Sequence, residues 1–309
     1  MGRGGNKSVK KFLKNILRNM GVDVTRYTPK GWESCVSLKP EIGNGKSVLL
    51  SLWVAPFLLK HGEPIPDTHT HNWESLQIAR TFLNLGYEVD VVDYRNTSFV
   101  PSKKYAIFVA FRTNFERLAK YLDRHCIKVV HLDTAHWLFN NAASLRRSLE
   151  LQQRKGKTID GLRIVEMNRA IEYADYATVL GNRFTLNTYR YAGKPLFPIP
   201  ISACAVYPWD KNKDFKTCRN SFLWFSSGGL VHKGLDLVLE AFVGMPDKYL
   251  TICGQIENDR EFISLYYDEL YRTKNINIIG PLDFNSPVFL NILSSNVGLI
   301  YPSCSEGQC

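Results

Sequence analysis

The sequence predicts an α/β fold of two Rossmann-like domains facing a cleft. Short apolar runs alternate with helical patterns along most of the chain, as in parallel sheets crossed by helices. A stretch with Pro195, Pro198, Pro200 and Pro208 divides these alternations into two sets. The length of 309 residues suits about two domains.

In the first set, 47–54 reads as a buried strand, 73–85 as a helix ended by Gly86, and 88–94 as a valine-rich strand. Residues 105–110, 115–124 and 128–132 continue as strand, helix and strand. Helical patterns at 142–153 and 162–173 follow, then a strand at 176–180 and a helix over 183–191. Residues 194–220 read as a connection. The second set opens with a strand at 221–225 and a helix at 234–242. It continues with a strand at 249–253, a helix at 260–274, a strand at 276–279, a helix at 287–294 and a strand at 297–301. The expected boundaries are 1–44 for a basic N-terminal segment, 45–203 for the first domain and 204–309 for the second.

Composition excludes several classes. Hydrophobic residues at 45% and charged residues at 22% fit neither a disordered nor a fibrous chain. The net charge of +10 admits an anionic partner, but it is concentrated. Residues 1–20 hold Arg3, Lys7, Lys10, Lys11, Lys14 and Arg18 with no acidic group. Residues 144–157 hold Arg146, Arg147, Arg154, Lys155 and Lys157 against Glu150 alone. The remainder is formally neutral, so no nucleic-acid partner is expected.

Within 7–20, Val9, Phe12, Leu13, Ile16, Leu17 and Met20 share one helical face opposite the lysines. This pattern suits either an anionic membrane surface or docking on the protein's own core. No run of about 20 apolar residues follows to span a bilayer. Seven cysteines are odd in number and lack a Cys-x-x-Cys pair, as expected of reduced thiols in the cytoplasm. The expected location is cytoplasmic, peripheral at the inner membrane face.

The main chemical signal is the loop 225–234, Phe-Ser-Ser-Gly-Gly-Leu-Val-His-Lys-Gly. Gly228 and Gly229 let an anion approach the backbone amides, the following helix offers its positive end, and Lys233 adds a full charge. These features suit a diphosphate. A tight strand-to-helix turn with an exposed lysine is the plainer alternative, since the P-loop and Gly-x-Gly-x-x-Gly spacings are both absent.

Downstream stand Leu250-Thr251-Ile252-Cys253-Gly254, then Asn275 to Gly280-Pro281-Leu282, then Tyr301-Pro302-Ser303-Cys304-Ser305-Glu306-Gly307. In this order after Lys233-Gly234, they resemble the donor domain of GT-B glycosyltransferases of family 4, the group 1 type. Asn72-Trp73-Glu74-Ser75 and 85–91 extend the likeness more loosely, so that it covers roughly 45–309. The resemblance implies an N-terminal acceptor domain and a C-terminal nucleotide-sugar donor domain. It also implies a retaining transferase of the hexosyltransferase type, with no cofactor or catalytic metal and with a glycan or lipid-linked acceptor.

Residue by residue, it implies that Lys233 neutralises the donor diphosphate and Glu306 accepts hydrogen bonds from the donor sugar. Ser227, Gly228, Gly229, Gly254, Gly280, Pro281, Leu282 and Ser303 would line the donor site. Two departures stand out. Gly228 occupies the slot where the family carries a second phosphate cation, so Lys233 acts with backbone amides alone or another base substitutes. The family's second carboxylate would lie past Cys309, so the resemblance implies that the C-terminal domain is incomplete and the chain reads as a fragment or truncated product. On the acceptor side His136 is preferred to His131 as a catalytic group, with a structural role open for each.

Two rival functions are carried forward. One is a catalytically inactive nucleotide- or glycan-binding module. The other is a metal-dependent hydrolase using His69 and His71, which stand at i and i+2 in Asp67-Thr68-His69-Thr70-His71.

Overall fold

The computed structural model describes residues 32–66, 69–203, 206, 211–283 and 286–306. The amphipathic pattern at 7–20 and its membrane-surface expectation lie outside the described residues, as do Asp67 and Thr68. Among the described residues, no helix is long and apolar enough to cross a membrane. The described cysteines, Cys35, Cys126, Cys218, Cys253 and Cys304, are free thiols.

The first unit comprises β1 (Cys35–Leu38), β2 (Ser47–Leu52), α1 (Thr70–Asn84), β3 (Glu88–Asp93), β4 (Ile107–Phe111), α2 (Arg112–Ala119) and β5 (Ile127–Leu132). It continues through α3 (Trp137–Lys155), α4 (Ala170–Tyr173), β6 (Tyr176–Leu180), α5 (Arg183–Asn187) and β7 (Leu196–Ile199). Its seven strands run in the order β1-β3-β2-β4-β5-β6-β7. β1 is antiparallel to β3, and every other pair is parallel. Central strands are largely apolar because both faces are covered, with Ser51, Asp90, Asp93 and His131 as buried polar exceptions. One face is packed by Phe108, Phe115, Leu118 and Ile171, the other by Leu50, Val91 and Val109.

The second unit comprises β8 (Ser221–Ser226), α6 (Leu235–Val243), β9 (Tyr249–Gly254), α7 (Arg260–Leu265), α8 (Tyr267–Tyr271), β10 (Ile276–Gly280), α9 (Pro287–Ser295) and β11 (Gly298–Leu299). Its four strands are parallel in the order β10-β9-β8-β11. Trp224, Leu235, Leu239, Phe242 and Phe262 form the core on one face. The chain is therefore mixed α/β with two sheets that are parallel except at β1, as the alternation of patterns predicts.

Several elements depart from the sequence expectation. The helix expected at 162–173 survives only as α4. Ahead of it, Asn141 on α3 takes both backbone groups of Val165, accepting from its N–H at 2.8 Å and donating to its carbonyl at 2.9 Å. A side-chain amide thus replaces the intrahelical partners. The helix expected at 260–274 breaks at Tyr266, which is fully buried, stacks on Phe262 and donates from its hydroxyl to Glu240 on α6 at 2.6 Å. β7 arises inside the expected connection. It is an edge strand, so Pro198 is tolerated there. β1 extends the sheet from the stretch expected to be a basic N-terminal segment.

Helix α3 joins the two units. Its N-cap His136 is held by the first unit, where its backbone N–H donates to Thr188 at 3.0 Å. Farther along, Leu151 is buried in the core around Trp224. The basic stretch at 144–157 is one of the two segments in which the sequence concentrates its positive charge, and most of its cations are paired within the molecule. Arg154 bonds Asp236 at 2.5 Å and Glu240 at 2.9 Å, and Lys155 bonds Glu269 at 2.7 Å. Arg147 donates to the Pro302 carbonyl at 3.2 Å. These cations are spent on the seam between the units.

Candidate functional site

In an open parallel sheet, ligands collect beyond the carboxyl ends of the strands where the winding reverses direction. In the second sheet the chain runs from β8 outward through β9 to β10, then returns to the other flank of β8 as β11. The loop after β8 and the segment after β11 meet at that reversal, and they contain Lys233 and Glu306.

Their contact is direct. The Lys233 ammonium donates to Glu306 Oε1, and the Ser303 hydroxyl donates to the same oxygen at 2.7 Å. Lys233 Nζ also lies 5.1 Å from the Tyr301 ring centroid. Burial pushes the Glu306 carboxyl up, but the Lys233 ammonium and the Ser303 hydroxyl outweigh it and hold the pKa below its ordinary value.

The backbone around the pair is closely fitted. Gly234 has φ +77°, and a β-carbon there would come within 2.5 Å of the Pro302 carbonyl oxygen. At Gly254, φ is +148° and a β-carbon would collide with the Ser226 carbonyl oxygen. Trp224 is buried and donates from Nε1 to the Lys233 carbonyl at 3.3 Å. His232 is clamped beneath the pair, with Nε2 2.7 Å from the Ser305 carbonyl and Nδ1 2.9 Å from Ser144 Oγ on α3. Burial lowers its pKa.

The first sheet reverses its winding between β2 and β4, and a second polar cluster stands there. His71 Nδ1 lies 2.5 Å from Glu74 Oε2, and His71 Nε2 lies 3.4 Å from Asp133 Oδ2. Arg112 pairs with Asp133, Ser202 donates to Glu74, and His131 Nε2 lies 3.8 Å from Glu74. Burial pushes the Glu74 carboxyl up, yet His131, His71 and Ser202 overcome this and keep it ionised far below the ordinary carboxylate range. Trp53 stacks on His69 with centroids 4.8 Å apart at the rim.

No family model matches the sequence, and no curated protein matches it. Among solved structures, the chain is similar to the catalytic domain of starch synthase IV from Arabidopsis thaliana bound to ADP and acarbose. The identity is 13%, the match covers 71% of this chain and 62% of that one, and the TM-score is 0.35. The chain thus spans less than two thirds of that neighbour's length.

Of the residues singled out in the sequence, Lys233, Glu306 and Ser303 meet at one point. Gly228 and Gly229 form the turn leading to Lys233, whose N–H donates to the Gly229 carbonyl at 2.8 Å, and Ser227 is exposed beside them. Gly254 ends β9 next to Ser226, and Gly280 ends β10. Pro281 follows exposed, while Leu282 packs against the apolar group of Leu223, Cys253 and Ile292. Asn275, which opens the Asn-to-Gly turn, is a structural tie. Its Nδ2 donates to the carbonyls of Phe242, Met245 and Lys248 at 2.9, 3.1 and 2.7 Å.

His136 stands apart as the N-cap of α3. Its Nδ1 accepts from the Leu138 N–H at 3.4 Å, and its Nε2 lies 3.2 Å from the Tyr191 hydroxyl. Burial lowers its pKa. The histidine beside the Glu74 cluster is His131, the one passed over in the sequence. The His69 and His71 pair is committed as well. His69 Nδ1 accepts from the His71 N–H at 3.2 Å, and both ring nitrogens of His71 face carboxylates. Among the described residues, no group of three or more His, Cys, Asp or Glu side chains is placed to hold a metal ion.

Proposed function

We propose that the chain is a retaining glycosyltransferase that moves a sugar from a nucleoside-diphosphate donor to a hydroxyl acceptor. The observation that carries this reading is the meeting of Lys233, Ser303 and Glu306 at the winding reversal of the second sheet, beside a two-glycine turn. A cation, a hydroxyl and a carboxylate there can bind a phosphate and the hydroxyls of a sugar attached to it.

The chemistry follows from these groups. The bond between the anomeric carbon and the diphosphate oxygen breaks while negative charge grows on the leaving group. Lys233, the amides of the Gly228–Gly229 turn and the N-terminus of α6 stabilise that charge. The acceptor hydroxyl attacks on the face from which the diphosphate departs and gives its proton to the departing phosphate oxygen. Configuration is thereby retained without a protein nucleophile. Glu306 orients the sugar, and Gly280, Pro281 and Leu282 pack around the base. His136 serves as a positioning residue by capping α3, which in turn holds His232 through Ser144. The Glu74 cluster faces the acceptor. The acceptor is a glycan or lipid-linked hydroxyl in polysaccharide or glycolipid assembly at the cytoplasmic membrane face, and no cofactor or metal is required.

One observation favours a second reading. The charge of Lys233 is matched by Glu306, which suits a module that binds a nucleotide or glycan without turning it over. Thermal-shift screening of sugar nucleotides, followed by product analysis with the best binder, separates the two. Hydrolysis or transfer supports the enzyme, binding without turnover supports the module, and no binding by any sugar nucleotide overturns the enzyme and the nucleotide-binding form of the module.

A further inference from the structure

A bound diphosphate brings at least two negative charges, whereas the Lys233–Glu306 pair supplies no net positive charge. The Gly228–Gly229 amides and the α6 N-terminus supply only partial charges, so a full cation from outside the pair would complete the site. The segment 157–169 crosses beside it. Ile159 packs against the core around Trp224, the Asp160 N–H donates to Glu261 at 2.5 Å, and Val165 is tied to Asn141. Ala170 and Ile171 then enter the core of the first sheet. The segment is thus fixed on both sides of Arg163.

Arg163 is exposed and, among the described residues, makes no hydrogen bond or ion pair. Its stem borders the two-glycine turn, since a β-carbon at Gly229 would lie 3.9 Å from Arg163 Cδ. The same residue lines a cleft of about 530 Å³ between α2 and this segment. The other cations of the cleft are engaged or offset, while Glu166 contributes an exposed carboxylate to its lining. Arg112 pairs with Asp133, Lys120 pairs with Glu116, and Arg117 donates to the carbonyls of Phe99 and Asn96. The positive charge of Arg163 reaches the site, where it helps hold both Glu306 and His232 below their ordinary pKa values.

We infer that Arg163 is the phosphate clamp of this site, a guanidinium delivered from the segment between α3 and α4 that binds the diphosphate over the Gly228–Gly229 turn. The inference rests on the nucleoside-diphosphate reading. It resolves the alternative left open by glycine at position 228 in favour of a substitute base. A guanidinium is suited to this task because its planar donors engage two phosphate oxygens together.

The test is calorimetric titration of the full chain with UDP, ADP and GDP, with the matching nucleosides as controls. Arg163→Ala is expected to weaken the best-bound diphosphate about tenfold or more, in line with the loss of a charge-assisted hydrogen bond. Nucleoside affinity is expected to stay within about twofold and Arg163→Lys to recover part of the loss. Lys120→Ala, which removes an already paired cation from the same cleft, is expected to change nothing. Because Arg163 is exposed and unbonded, its variants are expected to unfold at the wild-type temperature. Diphosphate binding by Arg163→Ala equal to that of the wild type overturns the clamp and leaves the site reading standing. A wild-type chain that binds none of the three diphosphates overturns both.

Discussion

A β-carbon at Gly234 would sit 2.5 Å from the carbonyl oxygen of Pro302, so the loop after β8 and the segment after β11 approach as closely as backbone allows. This approach lets the Lys233 ammonium reach Glu306. Gly234→Ala adds a left-handed conformation costing about 1–2 kcal/mol to a collision with backbone. Chemical denaturation is expected to show a loss above about 2 kcal/mol, accompanied by loss of nucleotide binding. Stability within about 0.5 kcal/mol of the wild type would show that the contact is dispensable.

The Lys233–Glu306 pair predicts non-additivity. Lys233→Ala leaves a largely buried carboxylate without its cation and is expected to destabilise by about 1–3 kcal/mol. Adding Glu306→Gln is expected to recover at least about 0.5 kcal/mol while diphosphate affinity stays low. Strictly additive stabilities would mean that the two groups do not interact in solution.

Burial lowers the pKa values of His69, His136 and His232 from the ordinary 6.5. The unfolded chain therefore binds protons that the folded chain refuses. Stability is fully present above 6.5 and falls as pH drops through and below that value, by up to about 1.4 kcal/mol per pH unit for each histidine. His136→Asn keeps an N-cap acceptor but removes one titrating group. It is expected to be near wild type at pH 7.5 and to lose less stability between pH 6.5 and 5. An unchanged slope would exclude His136 from the effect.

Asn275 gives an unusually clear test of a structural motif residue. Asn275→Ala removes the donor shared by one carbonyl at the end of α6 and two in the turn that leads to β9, and is expected to cost about 1–3 kcal/mol. Asn275→Asp, which points a carboxylate at the same oxygens, is expected to cost more. If Asp is tolerated better than Ala in thermal unfolding, the bonding assigned to Asn275 is wrong.

The alternation of apolar runs and helical patterns was legible in the sequence because central parallel strands are covered on both faces, and Val48 to Leu52 and Val89 to Asp93 read as continuous buried stretches. The Lys233 end of the site was legible because glycine, lysine and helix start are adjacent in the chain. The Glu74 cluster was not, since His71 and Glu74, His131 and Asp133, and Ser202 come from three separate stretches that only the fold brings together. His136 drew notice over His131 through its loop position, but a loop histidine can cap a helix as readily as it can do chemistry. Arg163 lay in a pattern that read as helical. The competing bonds from Asn141 are long-range, and no local periodicity reports them.

Helix α3 begins on the first unit and ends in the core of the second. The chain returns through 157–169, which Asn141 and Glu261 hold in place. Both crossings are buttressed by side chains and tie the halves like a piano hinge with more than one knuckle. Independent twisting of the two sheets is opposed. A change at Ser144 or Asn141 would therefore loosen a strut between the halves and leave the core of either sheet intact.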